Sequence, residues 1–227
     1  MRTSRRQLEL PIRTWGGCRR GAGRKRQPGR GSVAHRVRSR HDTRCPVHVT
    51  LRATRGLPSF RMCSVFAAMR SALAASSTVR FRVVHFSVQR DHVHLLVEAD
   101  AHAALVKGMQ GLTIRVAKAV NRVLRRHGTV WSERYHSRLL GTPREVRNAL
   151  IYVLNNWLKH LPGARGFDPC SSATWFADWS RETALPQPIP VARPRTWLAA
   201  VGWRRAGRIS VDETPRLLRP VVQSNGP

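Results

Sequence analysis

The feature that most constrains this chain is an alternating run around two histidines, His92 and His94. Successive side chains of a β-strand point to opposite faces, so Val93, Leu95 and Val97 are predicted to face one way and the histidines the other. Two imidazoles at positions i and i+2 of a strand stand side by side, about 7 Å apart along the chain. That arrangement suits two ligands of one divalent metal ion. The alternative is a pair of ordinary histidines on a solvated sheet face.

The charge of the chain narrows its possible partners. Its 227 residues include 41 Lys and Arg but only 12 Asp and Glu, which gives a formal net charge of +29. Such an excess opposes compaction unless a polyanion neutralises it, so nucleic acid is the expected partner and an anionic membrane surface the alternative. No apolar run is long enough for a transmembrane helix, and the first residues lack the apolar core of a signal peptide. We therefore expect a cytoplasmic protein with no membrane partner.

Residues 1–46 differ in composition from the rest of the chain. They hold 14 Lys and Arg against 2 acidic residues, are dense in Gly and Ser, and have almost no apolar periodicity. This composition predicts a disordered basic N-terminal arm, in which Arg24, Lys25 and Arg26 are expected to contact nucleic acid. A solvated tail with no specific role is the alternative.

The remaining chain divides into two further regions. Residues 47–165 carry the apolar periodicity of a folded catalytic domain, whose size fits a single hydrophobic core. Residues 166–227 form a C-terminal extension in which this periodicity fades. A cluster of aromatic residues at 175–179 is expected to pack back on the domain. The proline-rich residues 186–194 are expected to be linker-like.

The periodicity of the folded region predicts seven elements in the order β-α-β-β-α-β-α. Arg90 and Asp91 indicate a hairpin turn, and Thr142 followed by Pro143 indicates the N-cap and first residue of the last helix. This order predicts an α+β fold, with an antiparallel sheet, helices packed on one face and the other face free. The expected elements are strand 47–52, helix 59–75, strand 79–88, the strand through His92 and His94, helix 102–127, strand 136–140 and helix 143–161.

The last predicted helix, residues 143–161, presents a second polar set. At about 100° per residue, Tyr152 lies about 200° from Leu150, the centre of the apolar stripe. Asn156 and Lys159 fall on the same side, and Asn156 follows the tyrosine by one turn. Tyr152 is therefore a candidate nucleophile, Asn156 a candidate third metal ligand and Lys159 a candidate phosphate contact. The alternatives are an idle surface tyrosine and plain solvation of the helix surface.

Taken together, three segments resemble the HUH-type single-tyrosine transposases, and in particular the REP-associated tyrosine transposases. The resemblance covers roughly residues 47–162, including the order and spacing of the motifs, and it implies the ferredoxin/RRM-like HUH fold. The segments are residues 89–98 with the His-hydrophobic-His core, residues 131–136, and residues 143–156.

The resemblance implies a role for each candidate residue. His92 and His94 would bind a divalent metal ion, Mg²⁺ or Mn²⁺. Tyr152 would be the nucleophile that cuts DNA and forms a 5′-phosphotyrosine. Asn156 would complete the metal site, where some family members use Gln. Tyr135 is a rival nucleophile, but it precedes the short fourth strand and does not lie on the long helix.

The resemblance also implies the substrate and the setting. The expected substrate is single-stranded DNA, often beside a hairpin, and the cut strand can be rejoined. Contacts to DNA are expected from Lys159, Arg144 and Arg138 as well as from the basic arm. The family includes dimers with shared sites as well as monomers, so a homodimer is one expectation. The expected location is the prokaryotic cytoplasm, in association with the nucleoid.

Two other classes of function compete with this interpretation. The first is a non-catalytic nucleic-acid-binding protein on the same fold, a domesticated or decayed transposase, which the net charge supports equally well. The second is an RNA-binding sheet module of the RRM type. Such a module needs aromatic residues on the open face of its central strands, and the strand of His92 and His94 offers none there.

Overall fold

The computed structural model describes residues 41–159, 163, 165–181 and 186–215. Most of the predicted basic arm, including Arg24, Lys25 and Arg26, lies outside the described residues. Within them, the predicted order of seven elements is confirmed. The elements are β1 (Val47–Arg52), α1 (Cys63–Ala74), β2 (Phe81–Val88), β3 (His92–Ala99), α2 (His102–Val123), β4 (His136–Leu139) and α3 (Pro143–Leu154), followed later by the single-turn α4 (Trp197–Ala200).

The four strands form one sheet in the order β2-β3-β1-β4, and every neighbouring pair is antiparallel. Strands β3 and β1 therefore lie at the centre. Their register places Thr50 opposite His94 and His48 opposite Leu96. An irregularity in β2 between Val83 and His85 shifts the pairing with β3. This register brings two polar residues of β1 beside the histidines of β3.

Helices α1 and α2 cover one face of the sheet, as predicted. Val93, Leu95 and Val97 of β3 are buried there in one apolar cluster, together with Met69 of α1 and Leu112 of α2. The α+β class and the antiparallel sheet are thus confirmed. None of the helices in the described part of the chain is long and apolar enough to cross a membrane.

The prediction that the opposite face is free is wrong. Helix α3 packs on that face, where Leu150 joins Leu96 of β3 in a second apolar cluster. The C-terminal extension completes the cluster with the buried side chains of Trp179 and Trp203. Because α3 has its own apolar stripe, it needs a buried partner, and this sheet face and the extension provide one. The face is therefore not an open RNA-binding surface of the RRM type.

Buried ion pairs and hydrogen bonds attach the extension to the domain. Asp168, which is fully buried, accepts hydrogen bonds from the guanidinium of Arg61 at 2.6 and 3.0 Å. Glu98 of β3 is also fully buried and accepts from Arg82 and from the Thr196 hydroxyl, at 3.3 and 2.7 Å. A buried carboxylate needs such partners, because an unpaired charge in the interior costs several kcal/mol.

The proline-rich segment expected to be linker-like also makes specific contacts. The backbone N–H of Ala192 donates to the carbonyl of Val83 in β2 at 2.9 Å. The carbonyl of Pro186 accepts a hydrogen bond from the Trp175 indole at 2.9 Å. Proline cannot donate a backbone hydrogen bond, but its carbonyl still accepts one, so composition alone did not reveal this packing.

Helix α3 begins as predicted but ends earlier. The Thr142 side chain caps it by accepting from the Glu145 N–H, and Pro143 is the first helical residue. The helix ends at Leu154, not at residue 161, and a 3₁₀ turn follows over Asn156–Lys159. Between the two, the Asn155 side chain donates to the carbonyls of Ser210 and Glu213 at 3.1 and 3.0 Å.

Candidate active site

The two histidines of β3 form a close pair on the sheet face that α3 covers. Their ring centroids are 4.7 Å apart and the rings are nearly perpendicular, at 79°. Nδ1 of His92 lies 2.7 Å from Oδ1 of Asp91, and Nδ1 of His94 lies 3.1 Å from Oγ1 of Thr50. A hydrogen bond to one ring nitrogen fixes the orientation of an imidazole, and metal-binding histidines are commonly oriented by such a bond. Nε2 is then the ring nitrogen of each histidine that can serve as a ligand.

Tyr152 of α3 lies directly against this pair. Its ring centroid is 4.8 Å from that of His94, and the two rings meet edge to face at 83°. The side chain is half-buried, and burial raises the pKa of the phenol. The fold thus brings together the two motifs that the sequence keeps 58 residues apart.

Lys159 stands over the ring of Tyr152, with its Nζ 4.2 Å from the ring centroid. The 3₁₀ turn after α3 brings it there, since the expected continuation of the helix is absent. Burial lowers the pKa of the Lys159 ammonium. A cation over an aromatic ring is attracted to the π-face of the ring. A nearby cation also favours ionisation of a phenol to its phenolate.

Asn156 begins the same 3₁₀ turn, and its side chain is 2% exposed. Its amide nitrogen is buried without a hydrogen-bond partner in the described part of the chain. An unpaired buried polar atom carries a desolvation cost of about 1–3 kcal/mol, which calls for a further partner. Because the two ends of an amide are interchangeable by rotation, Asn156 can offer either its oxygen or its nitrogen at this position.

His48 of β1 is a site residue that sequence reasoning missed. Its ring stacks on His94 with centroids 5.4 Å apart, and it contacts the edge of Tyr152 at 5.7 Å. Burial, and secondarily the charge of Arg138, lower the pKa of His48 to about 4, so the imidazole is neutral at pH 7. The alternation of β1 places His48 and Thr50 on one face, but only the register with β3 shows that this is the face of the histidine pair.

The predicted DNA-contacting arginines of the domain lie at the same end of α3. Arg138 of β4 forms an ion pair with Glu145 at 2.7 Å, and its charge acts on His48. Arg144 is exposed in the first turn of α3. By contrast, Tyr135 packs against the apolar cluster on the α1/α2 face, away from the histidine pair.

The residues fit a divalent metal in the chemistry of their donor groups. Two oriented imidazoles and an amide are neutral ligands that leave positions for oxygen atoms of a substrate. Within the described residues, no group of three or more His, Cys, Asp or Glu side chains is arranged to hold a metal ion. A metal here would therefore depend on the two histidines and on a third ligand of another type.

A loop of the C-terminal extension, residues 207–213, is hydrogen-bonded to the outer side of α3. We call it the C-terminal clasp. The Arg147 guanidinium donates to the carbonyls of Gly207 and Arg208 and pairs with the Glu213 carboxylate at 2.8 and 2.9 Å. Asn155, the residue that caps the C-terminus of α3, donates to the same loop. The clasp therefore holds α3 on both sides of the tyrosine.

The site consists of a histidine pair on a central strand and a tyrosine on the helix above it, and one family model matches the segment that carries them. Residues 65–156 match the family model described as IS200-like transposase. The matched segment includes His92, His94 and Tyr152, so the similarity to this transposase family extends over the candidate site.

Among the similar solved structures is that of a REP-associated tyrosine transposase bound to a REP hairpin. It shares 15% sequence identity with a TM-score of 0.47, and the match covers 56% of this chain and 74% of that chain. No curated protein matches the sequence.

Proposed function

We propose that this chain cuts and rejoins single-stranded DNA, with Tyr152 as the nucleophile. The observation that carries the proposal is the contact between Tyr152 and His94, which places the only tyrosine of α3 against the oriented histidine pair. The second tyrosine of the chain, Tyr135, packs on the opposite face of the sheet.

The proposed reaction is a transesterification that balances without water. Oη of Tyr152 attacks the scissile phosphorus, the bond to the 3′-oxygen breaks, and a 5′-phosphotyrosine forms. The phenolic proton is released, and one proton reaches the departing 3′-oxygen. Because the phosphodiester is exchanged and not hydrolysed, the reverse reaction rejoins a strand without ATP.

The residues around Tyr152 determine how the phenol can be activated. Burial raises its pKa and so opposes ionisation. The Lys159 ammonium, 4.2 Å from the ring centroid, acts in the opposite direction. Neutral His48 packs against the edge of the ring and limits its rotation. In the proposed reaction, His48 would restrict the orientation of the ring, and the nearby Lys159 ammonium would offset negative charge on the phenolic oxygen.

A divalent metal, Mg²⁺ or Mn²⁺, is part of the proposal. His92, His94 and Asn156 are the residues that would hold it, the histidines through Nε2. When bound, the ion would neutralise and orient the scissile phosphate. Lys159, Arg138 and Arg144 are proposed to contact the phosphates of the strand. A DNA substrate would place the activity in the cytoplasm at the nucleoid. All of these residues belong to one chain. Whether the protein forms a homodimer is tested by measuring its molecular mass in solution by sedimentation.

The test is capture of the covalent intermediate. The protein is incubated with labelled single-stranded DNA from the flanks of its own gene in the presence of Mn²⁺, and a denaturing gel is scanned for labelled protein. We expect an adduct with the natural protein and with Tyr135→Phe, and none with Tyr152→Phe. Since the chain has only two tyrosines, peptide mapping of the adduct is unambiguous.

The possible outcomes separate the proposal from its rivals. DNA attached at Tyr135, or full cutting by Tyr152→Phe, would overturn the assignment of the nucleophile. DNA binding without any adduct, over flanking sequences from both ends of the gene, would favour a non-catalytic DNA-binding protein.

A further inference from the structure

A row of paired residues crosses the sheet at the histidine pair. His94 of β3 lies opposite Thr50 of β1, and Thr50 lies opposite His136 of β4 on its other side. Directly paired residues of neighbouring strands project from the same face of a sheet. Because His94 projects towards α3, His136 also lies on the α3 side. Tyr135, one position earlier, packs on the opposite face, as the alternation of an extended chain requires.

His136 lies on the side of the site that α3 leaves uncovered. Neighbouring strands are about 4.8 Å apart, so the backbones of His94 and His136 are about 10 Å apart across β1. Helix α3 packs over β2 and β3, whereas β4 is the edge strand beyond β1. The side chain of His136 is exposed. It is therefore accessible to a DNA strand held at the histidine pair.

Glu133 orients the imidazole of His136. Oε1 of Glu133 lies 3.2 Å from Nε2 of the histidine. A carboxylate at one ring nitrogen fixes the tautomer and leaves the other nitrogen, Nδ1, to transfer a proton. In the part of the chain that the structure describes, no three His, Cys, Asp or Glu side chains are placed to share a metal ion. Glu133 and His136 are therefore not additional metal ligands of the histidine pair.

The loop that carries Glu133 is fixed to both neighbouring elements. The backbone N–H and the hydroxyl of Ser132 both donate to the carbonyl of Arg52 in β1, at 2.9 and 3.2 Å. The indole of Trp131 donates to the carbonyl of Thr113 in α2 at 3.0 Å. A group that transfers a proton needs a defined position, and these hydrogen bonds provide one for the carboxylate that orients His136.

The proposed reaction needs a proton donor on the side of the phosphorus away from the nucleophile. In an in-line displacement, the attacking and departing oxygens lie on opposite sides of the phosphorus. Tyr152 contacts His94 from α3, and Lys159 stands over the tyrosine ring, so both belong to the attacking side. His136 lies across β1 from His94, on the uncovered side. Its position suits the departing 3′-oxygen.

We propose that His136 is the general acid of strand cleavage and that Glu133 is its positioning residue. As Oη of Tyr152 bonds to phosphorus and the bond to the 3′-oxygen breaks, the proton on Nδ1 of His136 moves to that oxygen and forms a 3′-hydroxyl. The phenolic proton passes to solvent. In rejoining, Nδ1 takes a proton back from the 3′-hydroxyl. This inference rests on the proposed function, because it assigns a residue to the departing oxygen of that reaction.

The experiment changes the departing atom. Once the cut made by the natural protein has been mapped, the same single strand is prepared with either oxygen or sulfur as the 3′-bridging atom at that position. A thiol ionises at a pH of about 8.5, so sulfur departs without a proton, whereas an alkoxide needs one. Single-turnover rates of adduct formation are measured on both strands in Mn²⁺ for the natural protein, His136→Gln and Glu133→Gln.

His102→Gln is the matched control. His102 is also an exposed histidine, but it begins α2 in the helical layer on the other face of the sheet. The replacement is chemically identical to that at His136, and the control should cut both strands at the natural rate.

His136→Gln is expected to slow adduct formation by about 100-fold or more on the oxygen strand, which is the usual contribution of a general acid. On the sulfur strand its rate should lie within about threefold of the natural protein, because no proton is needed there. Glu133→Gln should show a smaller loss on the oxygen strand and the same rescue by sulfur. A residue that only supports the fold or binds phosphate would slow both strands equally.

The outcomes distinguish this inference from the proposed function. An unchanged rate of His136→Gln on the oxygen strand, or an equal loss on both strands in either variant, would overturn the general-acid role while the natural protein still forms its adduct. No adduct from the natural protein would instead remove the proposed function, and this inference with it.

Discussion

On the α1/α2 side of the sheet, strand β3 presents Val93, Leu95 and Val97, all buried among apolar neighbours. On the α3 side, the same strand presents His92 and His94, surrounded by polar groups and aromatic rings. Burying apolar side chains stabilises the fold, whereas burying imidazoles costs free energy unless their nitrogens find partners. The comparison shows that alternate residues of one strand have different roles, packing in the core on one face and forming the candidate site on the other. One face contributes stability, and the other carries the imidazoles of the candidate site at a cost in stability.

The largest expected effect is loss of activity without loss of stability when the histidines of the α3 side are replaced. His92→Ala combined with His94→Ala should reduce DNA cutting by about a thousandfold or more and abolish Mn²⁺ binding, because both oriented imidazoles are lost. The free energy of unfolding should change by less than about 2 kcal/mol. Calorimetric titration and urea unfolding measure the two effects.

The matched control is Leu95, which directly follows His94 in the sequence and faces the other side of the sheet. Leu95→Ala should cost about 2–5 kcal/mol of stability, since it empties part of a buried cluster. The folded fraction should bind Mn²⁺ normally. Unchanged Mn²⁺ affinity in the double histidine variant would contradict the metal assignment.

The second effect concerns the ion pair between Arg61 of the domain and Asp168 of the C-terminal extension. Arg61→Met leaves the fully buried Asp168 without its charged partner and should lower the free energy of unfolding by about 3–5 kcal/mol. Adding Asp168→Asn should restore part of the loss, because the uncompensated charge is removed. Denaturant unfolding of the two variants measures this. Equal stability of Arg61→Met and the natural protein would show that the ion pair contributes little, and a double variant no more stable than Arg61→Met would contradict the role of the uncompensated charge.

The third effect is a pH dependence on the α3 side, at His85. Burial lowers the pKa of His85 to about 4, while an unfolded histidine titrates near 6.5. Between these values the unfolded chain binds more protons, so stability falls as the pH falls from 6.5 towards 4. The loss should approach about 3 kcal/mol for this residue. His85→Gln, followed by unfolding at pH 7 and pH 4.5, should show a smaller difference than the natural protein; an equal difference would assign the dependence to other groups.

The smallest expected effect is at Asn156. Asn156→Ala should weaken Mn²⁺ binding by about tenfold, equivalent to about 1.4 kcal/mol, because one neutral ligand of three is lost. Asn156→Asp should strengthen it, since a carboxylate oxygen is a better ligand for Mn²⁺. Titration calorimetry distinguishes the two variants, and identical affinities would remove Asn156 from the metal site.

The sequence predicted those parts of the molecule that depend on local pattern. The alternation of β3 placed His94 and Leu95 on opposite faces correctly, and the cap at Thr142 located the start of α3. Helical periodicity also separated Tyr152 from the apolar stripe, although the structure buries α3 on more than one side.

The parts that failed depend on contacts between distant segments. The end of α3 was misplaced because Asn155 bonds to residues 55 and 58 positions later, which no local pattern reveals. His48 was missed because its role depends on the register of β1 against β3. The covered sheet face was missed for the same reason, since Trp179 and Trp203 of the extension supply its cover.

The C-terminal clasp has a consequence for how mutations in the gene would act. A premature stop codon anywhere before position 213 removes the carboxylate of Glu213 that pairs with Arg147 on α3. Such a shortened polypeptide keeps both histidines and Tyr152 in its sequence but loses the grip on the helix that carries the tyrosine. Under the proposed function, truncated translation products should therefore be poor at cutting DNA even though they contain every residue of the candidate site.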